Sequence, residues 1–157
     1  TGINKLNWPG RLETVFKQCD AGEGIKTVEY LLDGGHNPAG IASLINTLGR
    51  DYLDKELILI WAAMADKDSK NTLPKLTPLV NRVLLTRPEN ERSATPEQIF
   101  SELTKDDQKK CALLPDVDGA MLEAEKDADL QTVVIVAGSM FLVGLVRYKL
   151  LGNLVEN

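Results

Sequence analysis

Three apolar runs divide this chain: "TVEYLLD" at 27–33, "ELILIWAAM" at 56–64 and "TVVIVAG" at 132–138. Continuous rather than alternating hydrophobicity is what a strand needs when helices cover both faces of its sheet, because neither side meets water. The three runs therefore predict central parallel strands, and "NRVLLT" at 81–86 predicts a fourth. Near the N-terminus the pattern changes. In "RLETVFKQ" at 11–18, Leu12, Thr14 and Phe16 stand opposite Glu13, Val15 and Lys17, an imperfect alternation suited to a half-exposed strand. The turn-rich "CDAGEG" that follows predicts a hairpin with the run at 27–33.

Helical punctuation fills the intervals. In "NPAGIASLINTLGRDYL", Asn37 is a good N-cap and Pro38 sits at the first helical position, where its missing N–H does no harm. Ile41, Leu44, Ile45 and Leu48 then recur at helical spacing, and Gly49 is expected to end the helix. In "ATPEQIFSEL", Thr95, Pro96 and Gln98 predict a capping box. "VDGAMLEAEKDA" reads as a helix weakened by Gly119, and "GSMFLVGLVRYKLL" as a closing helix that starts at Ser139. Between 66 and 81, Pro74 and Pro78 permit only a short helix or two broken turns. Strands alternating with helices predict an α/β fold: a doubly wound, mostly parallel sheet with helices on both faces and an antiparallel N-terminal edge element.

Length and charge narrow the picture. At 157 residues, 1–157 makes one domain with a real core. A net charge of −5 opposes nonspecific attraction to nucleic acid or to an anionic membrane, so any phosphate must be met locally. Cys19 and Cys111 are far apart and belong to no CxxC or Cys/His cluster, which suits free thiols in a reducing cytoplasm. The apolar runs are strand-sized rather than membrane-sized, and the N-terminus has no basic-then-apolar signal pattern. The chain starts at Thr1, which suggests a boundary within a longer polypeptide.

In an open α/β sheet, ligands settle outside the carboxyl ends of the strands, where loops feed helix N-termini. "DGGHNP" at 33–38 is such a loop, and it holds the single histidine of the chain. Gly34 and Gly35 allow close backbone approach, and the helix N-terminus favours an anion. Asp33 is placed to accept from ribose hydroxyls, and His36 to donate to a phosphate or carboxylate. Two readings stay open at this point, because a tight turn, a helix cap and a surface histidine account for the same residues. Arg11, just after the Pro9-Gly10 turn, is either a positive fork for phosphate or part of a plain surface turn. Asp68 in "ADKDS" and Ser139 in "AGS" are explained equally by capping. Neither GxGxxG after a strand nor GxxxxGK[ST], GxSxG or HExxH occurs, and one histidine cannot build a His-rich metal site.

"WPGRLE", "LLDGGHNPAG", "MADKD", "TRPENERSATPE" and "VIVAGSMFLVG", in this order and spacing, resemble the C-terminal domain of folylpolyglutamate synthase/dihydrofolate synthase, within the Mur ligase family. The series spans Trp8 to about Arg147. Gly35 stands where the family usually has alanine, and Leu145 where it commonly has an acidic residue. The resemblance implies a cytoplasmic ATP-dependent ligase: ATP phosphorylates a folate or dihydropteroate carboxylate, and the amine of L-glutamate attacks the acyl phosphate. It implies a preceding P-loop domain of the same polypeptide that carries the Mg2+ ligands, with the active site between the two. On this basis Arg11 and Asp33 contact ATP, His36 and Asn37 face the γ-phosphate and the incoming glutamate, and Asp68 and Ser139 line the glutamate side. The isolated domain is then expected to be inactive, and Thr1 to lie in an interdomain linker. The competing reading is a stand-alone nucleotide- or anion-binding module without catalysis.

Overall fold

The computed structural model describes residues 9–65, 69–89 and 91–155. Six strands, β1 (Glu13–Asp20), β2 (Ile25–Asp33), β3 (Glu56–Trp61), β4 (Arg82–Leu85), β5 (Cys111–Leu113) and β6 (Thr132–Ala137), lie in the spatial order β1-β2-β6-β3-β4-β5. The β1–β2 pair is antiparallel and every other neighbouring pair is parallel. The expected mostly parallel sheet with an antiparallel N-terminal edge is the one observed.

Alternation inside the apolar runs explains why they carry no polar face. Leu31, Leu57, Leu59, Trp61, Val133 and Ile135 project to one side, where they pack on α1 (Pro38–Asp51) and α2 (Ser69–Leu76). Tyr30, Leu32, Ile58, Ile60, Val134 and Val136 project to the other, against α5 (Val117–Lys126) and α6 (Met140–Val155). All twelve are at most 3% exposed. At about 25 cal/mol per Å² of apolar surface removed from water, this double burial is the main stabilising term of the fold. On β1 the alternation alone does not say which side turns inward. The structure buries Val15 and leaves Phe16 64% exposed.

The expected caps are in place. Asn37 Oδ1 accepts from the Gly40 amide at 2.8 Å, and Thr95 with Gln98 closes a reciprocal capping box at the start of α3 (Pro96–Ser101). Pro74 lies inside the short α2, which gives way to a 3-10 turn over Thr77–Leu79. Two expectations are corrected. Gly49 does not end α1, which runs on to Asp51, where the Tyr52 amide closes it on the Leu48 carbonyl. A helical glycine is unfavourable by only about 1 kcal/mol, and the partly buried Tyr52, packed on the core, outweighs it. Strand β3 stops at Trp61 rather than reaching Met64, because its partner β6 ends at Ala137 and the chain turns away at Gly138. Ala63 and Met64 instead meet Ala94 and Ser93. Strand β5 and the one-turn α4 (Lys105–Gln108) are not foreseen, since three and four residues are too few to show a period.

Gly138 (φ +99) is the tightest point beneath the carboxyl ends of the central strands: a Cβ there would lie 2.3 Å from the Ala62 carbonyl oxygen and 2.7 Å from the Trp61 ring. Gly138→Ala is expected to destabilise the domain by about 3 kcal/mol through combined overpacking and a disfavoured φ. Gly49→Ala, which adds a methyl to open space in α1, is expected to stabilise by up to about 1 kcal/mol. Urea denaturation of the two variants checks both signs.

Candidate functional site

The chain leaving β2 enters α1 on one face of the sheet, and the chain leaving β6 enters α6 on the other. Between them, beyond the carboxyl ends of the strands, opens a cleft of about 410 Å³. Three pieces line it: the turn at Pro9–Arg11, the loop Gly34–Asn37, and the face of α6 that carries Met140, Val143, Gly144 and Arg147. Arg11, His36 and Asn37, which the sequence singles out, are thus brought together. Asp33 lies directly beneath them. Asp68 is outside the described residues, as are Lys67 and Trp8.

Asp33 ends β2 fully buried, and its Oδ1 accepts from Arg11 Nε at 3.0 Å and from the Gly35 amide at 3.2 Å. Oδ2 is sealed from solvent and meets no donor at bonding geometry. Burial pushes this carboxyl above its ordinary value, against the Gly35 amide, the Arg11 charge and, least, the Leu12 amide. The Asp33–Arg11 pair therefore joins a buried acid to a cation that is 52% exposed. Arg11 is held through its ε nitrogen, and its two terminal nitrogens take no partner among the described residues, so the fork faces the cleft.

The turn that carries Arg11 is unusual in its backbone. Gly10 (φ +73) and Leu12 (φ +47) both lie in the left-handed region on either side of it. For a leucine this is unfavourable by about 1–2 kcal/mol and persists only where surrounding contacts hold it. They do so here: Leu12 packs on the core, and the Gly34 amide donates to the Gly10 carbonyl at 2.6 Å.

His36 is half-buried, with Nδ1 3.3 Å from the Gly34 carbonyl oxygen. That contact favours the proton on Nδ1 and leaves Nε2 to meet a ligand. Asn37 is exposed, lines the cleft and caps α1, so the partial positive charge of the helix N-terminus lies beside the same space. Gly35 and Gly40 pack backbone to backbone: a Cβ on Gly35 would lie 3.1 Å from Gly40 Cα and 3.4 Å from Asp33 Oδ1. Ser139, 2% exposed, accepts from the Leu142 amide at 3.3 Å as the cap of α6, and it stands behind the cleft wall rather than in it.

A second cleft of about 460 Å³ opens between Arg87, Glu89, Asp116, Phe141 and Lys149. It is slightly larger, yet its charges oppose one another, and Lys149 is already paired with Asp118 at 2.7 Å. The first cleft is lined by two arginines and a histidine, with no carboxylate among its lining residues. Both arginines are anchored by carboxylates that lie outside the lining, so on a chain of net charge −5 the cleft presents donors and no acidic side chain.

Sequence reasoning missed α6 as a wall of the cleft. Met140, Val143 and Arg147 have no periodicity to set them apart in a helix apolar on most sides. Glu13, which binds Arg147 at 2.8 Å, was visible only as the last letter of "WPGRLE".

Known proteins align along nearly the whole chain. The dihydrofolate synthase/folylpolyglutamate synthase of Bacillus subtilis is 23% identical over 96% of this chain, and the dihydrofolate synthetase of Saccharomyces cerevisiae is 30% identical over 92%. The chain spans about a third of their length, 32% and 35% respectively. The crystal structure of bifunctional folylpolyglutamate synthase/dihydrofolate synthase from Yersinia pestis, complexed with AMPPNP and Mn ion, superimposes with a TM-score of 0.74 at 27% identity, covering 98% of this chain and 33% of that one. The family model described as "Mur ligase, glutamate ligase domain" matches residues 10–140, and the chain belongs to that family.

Proposed function

We propose that this chain is the C-terminal domain of a cytoplasmic ATP-dependent ligase that joins L-glutamate to a folate or dihydropteroate carboxylate. One observation carries the reading: the Arg11 fork, His36 and the α1 N-terminus converge on one cleft with no carboxylate among its lining residues, at the sheet's topological switch point. The relatives and the solved neighbour bear names of that activity, and the neighbour holds an ATP analogue and a divalent metal. The residues present fit the triphosphate. Among the described residues they offer the cation no free carboxylate: Asp33 is buried and Glu13 is paired with Arg147. The Mg2+ ligands and the phosphate-cradling loop are therefore assigned to a preceding P-loop lobe of the same polypeptide.

In this reading the acceptor's carboxylate oxygen takes the γ-phosphoryl group of ATP, releasing ADP. The glutamate amine then attacks the acyl carbon, forming the amide, expelling phosphate and losing its proton. Phosphoryl transfer is driven by positioning and charge stabilisation more than by covalent help from the protein. Arg11 would bind phosphate oxygens, and Asn37 would cap the α1 N-terminus whose partial positive charge favours them. With both ring nitrogens protonated, His36 would donate from Nδ1 to the Gly34 carbonyl and from Nε2 to the γ-phosphate near the approaching amine. Asp33 acts on the nucleotide through Arg11 in the arrangement seen; direct contact with the ribose needs the Arg11 turn to shift. Ser139 and Asp68 would border the glutamate side, Ser139 by fixing the start of α6.

Arg11→Ala and His36→Ala in the full-length polypeptide should each lower ATP-dependent glutamate addition about 100-fold. Arg11→Ala should also lose about 2 kcal/mol of stability, because Asp33 is left buried without its cation. The domain still folds, and circular dichroism melting checks this; undiminished glutamate addition would remove the ligase reading. Titration of the isolated chain with ATP should give a Kd weaker than about 0.1 mM. Submicromolar affinity would instead favour a complete nucleotide-binding module.

A further inference from the structure

Glu13 and Arg147 lie 134 positions apart and form a bridge that the nucleotide reading does not use. Glu13 Oε1 accepts from Arg147 Nε at 2.8 Å and, on the same atom, from the Gly10 amide at 2.8 Å; Oε2 takes a longer contact of 3.4 Å from Arg147. Its side chain is 14% exposed and that of Arg147 32%. Burial opposes ionisation of Glu13, but the hydrogen bonds from Arg147 and Gly10 and the arginine's charge outweigh it, so the carboxyl titrates below its ordinary value. The contact is a charged one at neutral pH.

Its location gives it a role. The turn around Arg11 has left-handed backbone on both sides and cannot hold itself. Two of its tethers, Gly34 N–H to Gly10 and Arg11 to Asp33, run to the β2 loop. The Glu13 bridge runs the other way, to α6. Arg147 is one helical turn beyond Val143, whose Cγ1 would lie 3.3 Å from a Cβ on Gly10, so one face of α6 both seats the turn and grips it. From the convergence of these contacts we propose that Glu13 and Arg147 are positioning residues: they clamp the Arg11 turn to α6 and so hold the Arg11 fork across the cleft from His36. The inference rests on the nucleotide reading of that cleft. Without the clamp the fork stays tied to Asp33 by one bond but can swing with the turn, and a fork not held in place binds a triphosphate less well.

The test is binding of AMPPNP with magnesium to the full-length polypeptide, measured by calorimetry as a double-mutant cycle. Glu13→Ala and Arg147→Ala should each raise the Kd about tenfold when Arg11 is present, and less than twofold in the Arg11→Ala background. Arg147→Lys, which keeps the charge, should stay within about threefold of the unaltered protein. Glu13→Gln keeps an acceptor for the Gly10 amide and so keeps the turn formed, yet should still weaken binding threefold to fivefold; this variant serves if Glu13→Ala fails to fold. A loss on Arg147→Ala that persists undiminished without Arg11 would mean that Arg147 touches the nucleotide itself, and would overturn the clamp. So would unchanged affinity in Glu13→Ala. If Arg11→Ala alone leaves AMPPNP affinity intact, the nucleotide reading fails, and the clamp with it.

Discussion

Strand β6 lies between β2 and β3, and this placement sends the chain leaving β2 to one face of the sheet and the chain leaving β6 to the other. Nothing fills the space where the two chains part. The cleft is a consequence of strand order, and two of its walls, the Gly34–Asn37 loop and the α6 face, continue directly from buried strands. Gly138 lets this happen, since its left-handed backbone carries the chain out of β6 past the Trp61 ring and the Ala62 carbonyl.

A chain with an excess of acid can offer an anion a cleft only by gathering cations there and turning carboxylates away from it. Both are done here by burial and pairing. Asp33 is turned inward, where its Oδ1 holds the Arg11 ε nitrogen, and Glu13 is engaged by Arg147 and the Gly10 amide. Two acids that would oppose an anion in the cleft thus become supports for the arginines that line it. The arrangement also explains the closeness of Gly35 and Gly40. A side chain on either would push the loop off α1 or against Asp33 and displace the helix N-terminus from the cleft.

Much of the fold was legible because a doubly covered sheet needs apolar runs, and only short strands can supply them at 27–33, 132–138 and 81–86. The caps at Asn37 and Thr95 were legible for a local reason: a side-chain oxygen reaches an amide three residues on whatever the rest of the chain does. Where partners are distant, local reading failed. The end of β3 depends on where β6 stops, the persistence of α1 through Gly49 depends on where Tyr52 packs, and β5 exists only because β4 offers it an edge.

The same division runs through the site. The sequence by itself determined the strand–loop–helix junction at 33–38, the cap on α1 and the candidate cation at Arg11, because each is a matter of residue types within a few positions. Tertiary structure alone decided that Arg11 would lie over Asp33, that Asp33 would be buried rather than exposed to a ligand, and that Arg147 would cross to Glu13. The reason is that burial and ion pairing are properties of neighbours in space. Residues 22 and 134 positions apart meet only after β1 has paired with β2 and α6 has packed beneath them, and no local pattern encodes that meeting.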